Sequence, residues 1–315
     1  MDAFASNRRQ FLKLLGTAAV VGSVTPDLLA QPVRSSPSTS LTILHTNDVH
    51  SRLDPFPMDG GRNAGKGGVA RRATLIHNIR SEQVNGRSRN VLLFDAGDIF
   101  QGTPYFNVYK GEPEILAMNR LGYDAGTIGN HDFDGGIDNM VTQFSKATFP
   151  MLVANYDFKN TVMDGHTTPY KLFEKDGVRI GVFGLGIEPK GLIPRDAYKE
   201  TKYLDPIDVG NETAAKLRTD KKCDYVVCLS HLGYKYDNEP TVSDRILAAK
   251  TQNIDLIIGG HTHTFLDAPV TVDNLNGQPV WINQVGFAGI NLGRIDLVFE
   301  KGKAVASAGQ SVEVK

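Results

Sequence analysis

Apolar residues fall along the chain in short runs with abrupt ends. Segments 41–44, 91–94, 125–128, 151–153, 180–183, 225–229 and 254–258 are such runs, each followed by polar or glycine-bearing positions. Runs this short suit buried strands better than helices. Between them, 69–80, 114–121, 137–146, 212–216 with its flanks, and 243–249 read as amphipathic helices. The alternation predicts an α/β layered domain. Near the end the pattern changes: 269–272, 280–284, 295–299 and 305–314 are all strand-like, separated by turn residues such as Asn276-Gly277. The last fifth is therefore expected to be mostly β. No internal repeat or long linker interrupts 41–315, which is expected to form one domain.

The first forty residues have a different texture. Arg8-Arg9 precedes Phe11, Leu12 and Lys13, an apolar run covers 14–24, and a small residue follows at Ala30. A positive start, a short apolar stretch and a small-residue end predict a cleaved export signal over 1–30. The paired arginines resemble a twin-arginine address, which carries folded proteins out of the cytoplasm, so a periplasmic or otherwise extracytoplasmic location is expected. The run is shorter than the roughly 20 residues of a bilayer span, so no stable membrane anchor is expected. Residues 31–40, rich in Pro and Ser, read as a flexible lead-in.

Composition narrows the partners. The 315 residues carry 34 Lys+Arg against 35 Asp+Glu. Near-neutrality excludes a bulk electrostatic claim on nucleic acid polymers or anionic membranes. Two cysteines, Cys223 and Cys228, are too few for a disulfide framework or a four-thiolate zinc site. Cys228 lies in an apolar run and reads as a buried small hydrophobe.

The eight histidines matter by position. Strand-like runs end in Asp48-Val-His50, in Asp95-Ala-Gly-Asp98, in Gly129-Asn130-His131-Asp132-Phe-Asp134, in Ser230-His231 and in Gly259-Gly260-His261-Thr-His263. Sites in open α/β sheets collect at the carboxyl ends of strands, and glycine there allows close approach. Mixed carboxylate, imidazole and amide donors suit Mn, Zn or Fe better than Mg²⁺ or Ca²⁺. Seven donors are too many for one tetrahedral ion and suit two divalent ions sharing a carboxylate. Other histidines read blandly: His45 as structural, His77 as surface, His166 as a loop residue. Arg71 and Arg72 read as a solvated helix face, with a phosphate-facing arginine as the alternative. Tyr105, Phe106 and Asn107 could line the mouth of a site or simply pack.

Taken in order, Asp48-x-His50, Gly97-Asp98, Gly129-Asn130-His131-Asp132, His231 and Gly260-His261-x-His263 resemble the calcineurin-like metallophosphoesterase superfamily. Leu44-His-Thr-Asn-Asp48 and Ile128-Gly-Asn-His-Asp-Phe-Asp134 are closer still to the catalytic domain of the periplasmic 5′-nucleotidases. The resemblance implies a four-layer α-β-β-α sandwich of two mixed sheets, with the β-rich tail fitting the second sheet. It assigns Asp48, His50 and His263 to one metal and Asn130, His231 and His261 to the other, with Asp98 bridging. It makes His131 an acid over the substrate, oriented by Asp134 or by Asp132. A hydroxide between the metals would attack phosphorus, a nucleophile that metal binding makes available near neutral pH.

The function so implied is an exported metal-dependent phosphohydrolase, with 5′-nucleotides as favoured substrates. A phosphodiesterase acting on cyclic nucleotides, or a thiosulfohydrolase-like ester hydrolase, is the alternative. A non-enzymatic metal-dependent binding module is disfavoured, because His131 and every ligand position are kept. The related nucleotidases carry a second domain whose aromatic residues stack on the base, whereas this sequence stops at Lys315. Base recognition is therefore expected from elsewhere, such as a separate nucleotide-binding subunit.

Overall fold

Residues 38–84, 86–237 and 241–315 are described by a computed structural model. The segment read as an export signal, 1–30, and most of the segment read as lead-in lie outside the described residues. In chain order the principal elements begin with β1 (Ser38–Thr46), α1 (Val69–Arg80), β2 (Asn90–Asp95), α2 (Pro104–Tyr109), α3 (Glu112–Leu121), β3 (Ala125–Gly126) and α4 (Gly136–Phe144). There follow β4 (Tyr170–Lys175), β5 (Val178–Leu185), α5 (Pro206–Thr219), β6 (Tyr225–Ser230), α6 (Asp244–Lys250) and β7 (Leu256–Gly259). The chain closes with β8 (Val270–Asp273), β9 (Pro279–Asn283), β10 (Asn291–Glu300) and β11 (Lys303–Glu313). β1 starts three residues inside the segment read as lead-in, because Ser38, Thr39 and Ser40 pair with Glu300, Phe299 and Val298.

Two mixed sheets result, with strand orders β11-β10-β1-β2-β3 and β8-β9-β7-β6-β5-β4. The period-two alternation of strand side chains decides how they stack. Leu41, Ile43, Leu92 and Phe94 of the first sheet meet Ile180, Val182, Val227, Leu229 and Ile258 of the second in one shared core. On the outer face of the first sheet, Leu44 and Leu93 pack with Ile76, Ile115, Met118, Ile137 and Met140 from helices. On the outer face of the second, Val226, Cys228 and Ile257 pack with Ala214, Leu217, Leu247 and Ala248. Helix, sheet, sheet, helix is the expected four-layer sandwich.

Three features depart from the sequence reading. Segment 151–153 forms only isolated bridges, because its backbone bonds are split between sheets: Leu152 N donates to Gly126 O and Ala154 N to Gly184 O. The tail does not stay in the second sheet. β8 and β9 do, but β10 and β11 return to β1, with Ile295, Leu297 and Phe299 filling the shared core. β4 has no apolar run to announce it, since it is a polar edge strand paired with β5.

Candidate metal centre

β1, β2 and β3 run parallel, as do β6 and β7, so each group presents its carboxyl ends together. Asp48 and His50 follow β1, Asp98 follows β2, and Asn130 and His131 follow β3. His231 follows β6, and His261 and His263 follow β7. Five of these residues have left-handed backbone: Asp48, His50, Asp98, His261 and His263, with φ of 50°, 51°, 56°, 74° and 52°. Such residues turn the chain back sharply at the strand end and cost roughly 1–2 kcal/mol each. The glycines of the motifs make room: a Cβ on Gly129 would lie 2.1 Å from Asp98 Oδ1, and one on Gly260 2.8 Å from His231 Nδ1.

The side chains converge in two groups, Asp48 with His50 and His263, and Asp98 with His231 and His261, each group's donor atoms lying within 4.8 Å of one another. His50 Nε2 is 2.9 Å from His263 Nε2, and His263 Nε2 is 3.4 Å from Asp48 Oδ1. His231 Nε2 is 3.1 Å from Asp98 Oδ2, and His261 Nδ1 is 2.7 Å from Asn130 Oδ1. Bonds of ~2.0–2.2 Å to a shared ion would hold neighbouring donors about 3 Å apart, so the spacing fits. Asp98 Oδ2 is also 3.8 Å from His50 Nε2, which puts it between the groups.

The protonation pattern agrees. His231 Nδ1 donates to the Ala96 carbonyl at 2.7 Å, leaving the buried Nε2 aimed at two carboxylates, a place for a cation. Burial works against charge on His231, but Asp98 and Asp48 outweigh it and push the imidazole up to about 10. A bound metal would replace that proton. Burial, opposed by the nearby carboxylates, pushes His50 down, and pushes His261 down to about 4, keeping their lone pairs free.

His131 stands beside this centre, its ring centroid 5.2 Å from that of His50. Asp134 Oδ2 lies 2.8 Å from His131 Nδ1, and this hydrogen bond, against partial burial, raises the imidazole above its ordinary range. Of the two carboxylates that could orient His131, Asp132 faces the other way. Its Oδ1 accepts from Ile99 N and Phe100 N, and its Oδ2 from Gly129 N and Asp98 N, clamping the β2 and β3 loops together.

A family model for calcineurin-like phosphoesterases matches residues 41–265, more than half of the chain. The chain belongs to the calcineurin-like phosphoesterase family. Among curated relatives of this phosphoesterase, the snake venom 5′-nucleotidase of Crotalus adamanteus is 34% identical over 297 residues, covering 87% of this chain and 48% of the relative. The crystal structure of a 5′-nucleotidase precursor from Thermus thermophilus superposes with a TM-score of 0.78 at 32% identity, covering 87% of this chain and 54% of that one. The calcineurin-like phosphoesterase YfkN from Bacillus subtilis gives 0.69 at 27% identity, covering 88% and 92%. The chain spans about half the length of the curated relatives it matches.

Other parts of the phosphoesterase's site were not legible in the sequence. Asn47 Nδ2 donates to Asp48 Oδ2 and Gly286 O while its Oδ1 accepts from Val285 N, fixing the candidate ligand Asp48 to the β9 exit. Gln284 donates to Gly260 O and accepts from Thr264 N and Thr262 Oγ1, holding the His261 turn. Both stand at strand ends, the one available signal, but neither residue type announces a ligand. Arg71 is exposed, as expected of a solvated helix face, and donates to Gly65 O. Arg72 corrects the reading: it is 2% exposed and lies under the β1 and β2 exits with Asp95, Glu114 and Tyr123, not in solvent. Phe106 is a packing residue stacked on Phe100, and Asn107 is exposed. Tyr105 lines a cavity of about 310 Å³ with Arg52, Asp54, Thr103 and Tyr109. His45 is buried and held by Asn283, and His77 and His166 are exposed, as read from the sequence. Cys223 and Cys228 are free and buried. Among the described residues, no helix is long and apolar enough to cross a membrane.

Proposed function

We propose that this chain is an exported, metal-dependent phosphomonoesterase that hydrolyses 5′-nucleotides. The observation that carries the reading is the pair of donor groups on either side of Asp98, with the His131–Asp134 pair beside them. Asp48, His50 and His263 would hold one divalent ion, and Asn130, His231 and His261 the other, with Asp98 shared. The donor set suits Mn, Zn or Fe. Two such ions, when bound, neutralise phosphate charge and make a nucleophile available at neutral pH. The chain's own residues supply the rest. Asp132 fixes the Asp98 and Asn130 loops, Asn47 fixes Asp48, and Asp134 aims the His131 ring. His131 donates a proton to the departing ester oxygen, which leaves as a neutral alcohol.

The nucleotide as substrate draws support from the relatives, whose names state a 5′-nucleotidase. Export rests on Arg8-Arg9 and the apolar run after it. Phosphate release from a nucleoside 5′-monophosphate, glycerol 3-phosphate and bis-p-nitrophenyl phosphate tests the reaction, with chelator and after Mn²⁺ or Zn²⁺ is returned. Release from both monoesters that stops with chelator and recovers with metal is expected. Release from the diester alone would overturn the monoesterase, and no release from any ester would overturn the enzyme. Export is tested by fusing residues 1–40 to a folded reporter, whose appearance outside the cytoplasm should stop when Arg8 and Arg9 are both changed to Lys.

A further inference from the structure

One side of the metal centre is walled by phenylalanines. Phe287 lies nearly parallel to His263, with ring centroids 5.2 Å apart and planes 15° from each other. Phe265 and Phe56 meet Phe287 edge to face, at 6.0 Å and 6.5 Å. The Arg52 guanidinium sits 4.3 Å from the Phe56 centroid, bracing the far end of the wall. His263 itself is 4.9 Å from the His50 ring, so the aromatic surface begins at the metal-ligand set and leads outward.

The wall is open to a ligand and already in place. Phe265 is 44% exposed, while Phe56 and Phe287 beside it are half-buried. That ring is seated where residue 286 needs to be glycine: a Cβ there would lie 2.2 Å from the Phe265 ring, on a backbone with φ of 82°. Phe265 also bridges Val285 through the backbone. A preset apolar plane beside a polar centre suits a planar group joined to a charged one, and needs little ordering on binding.

We infer that Phe265 and Phe287 form a stacking subsite for the planar base of a nucleoside monophosphate whose phosphate is held at the metal centre. This rests on the nucleotidase reading above and adds to it where the base goes. A ribose separates phosphate from base by only a few bonds, and Phe287 stands one ring beyond His263. Base recognition is then carried, at least in part, by the catalytic domain itself.

The test uses the full-length, metal-loaded chain and reads kcat/KM for adenosine 5′-monophosphate against glycerol 3-phosphate, with bound metal measured on each variant. Phe265→Ala touches none of the ligand residues, and Phe287→Leu keeps an apolar side chain against His263. Loss of a base stack corresponds to about 5–150-fold in affinity. The nucleotide-to-glycerol phosphate ratio should therefore fall at least fivefold in Phe265→Ala, through KM for the nucleotide, and return in Phe265→Trp. An unchanged ratio, or an equal loss on both substrates, overturns the subsite and moves base recognition to another domain or subunit. An unmutated chain that hydrolyses glycerol phosphate but not the nucleotide overturns the nucleotidase reading and the subsite with it, and leaves the phosphomonoesterase. Hydrolysis of neither by the unmutated chain overturns the phosphatase reading and the subsite with it.

Discussion

Asp132 and Asp134 stand two residues apart and act on different partners. Asp132 is fully buried and accepts four backbone N–H groups from the loops that carry Asp98 and Gly129. Burial and the charge of Asp98 push its carboxyl up, and those donors oppose them. In Asp132→Asn an amide NH₂ would face two of the four donors, costing about 1–3 kcal/mol for the groups left unsatisfied. Lower thermal stability and loss of bound metal are expected together, measured by unfolding and by metal analysis. Asp134→Asn touches only the partly exposed His131 contact, so stability and metal content should stay while turnover falls. His131→Ala should likewise keep both metals and lose ~10²–10⁴-fold in kcat, the usual contribution of a positioned acid. Metal loss from His131→Ala would make it a ligand instead. The choice between Asp132 and Asp134 was closed to the sequence, because both are near enough in number and only the 3₁₀ turn over His131–Phe133 decides which one faces the ring.

The strand ends were readable because each apolar run stops at a chemically conspicuous residue, and burial enforces that boundary. Helices with a buried stripe were equally readable; α1 occupies Val69–Arg80, the span expected of it. What the pattern could not give was pairing, since Ile295 and Leu297 in β10 look the same whether they cover one sheet or the other. β10 pairs with β1 from Ser38–Glu300 to His45–Gly293, and the last of these pairs is the tightest to substitute. A Cβ on Gly293 would lie 2.0 Å from His45 Nε2, and His45 is fully buried and anchored by Asn283. Gly293→Ala is therefore expected to cost about 1–3 kcal/mol by overpacking, read as a lower urea midpoint with unchanged slope. A further tie, between β10 and the segment after α1, is electrostatic. Arg294 of β10 donates twice to Glu82, at 2.7 Å each, and this hydrogen bonding holds Glu82 below its ordinary 4.5. A depressed carboxyl adds stability that is full above its unfolded pKa and lost as pH falls through the folded one. The stability gap between the unmutated chain and Glu82→Gln should thus be constant near neutrality and close below pH 4.5. Glu82 is 36% exposed, so solvent screening keeps the gap under about 1 kcal/mol. A gap that widens in acid would contradict the assignment.

At the scale of the whole molecule, the candidate centre is a staple between the two sheets. Asp48, His50, Asp98 and Asn130 leave the first sheet, and His231, His261 and His263 leave the second. Each proposed ion draws donors from both, since Asp48 and His50 join His263, and Asp98 joins His231 and His261. Without a cation, the Asp48 and Asp98 carboxylates face each other across the His231 imidazole, whose raised pKa reflects their charge. An ion that binds the folded form alone adds about 2.7 kcal/mol when its free concentration is a hundred times its Kd. Chelation should therefore lower the unfolding temperature of the whole domain and not merely loosen the ligand loops. Amide exchange with and without chelator separates the two cases. Protection should fall together in β1 and β6, whose exits carry ligands from opposite sheets and whose inward faces meet in the shared core. If exchange quickened only at 48–50, 98 and 261–263, the ions would be passengers on a preformed frame. The left-handed turns at the ligands would then have to be held by backbone contacts such as Asp48 N to Gly97 O and His50 N to Asp98 O alone.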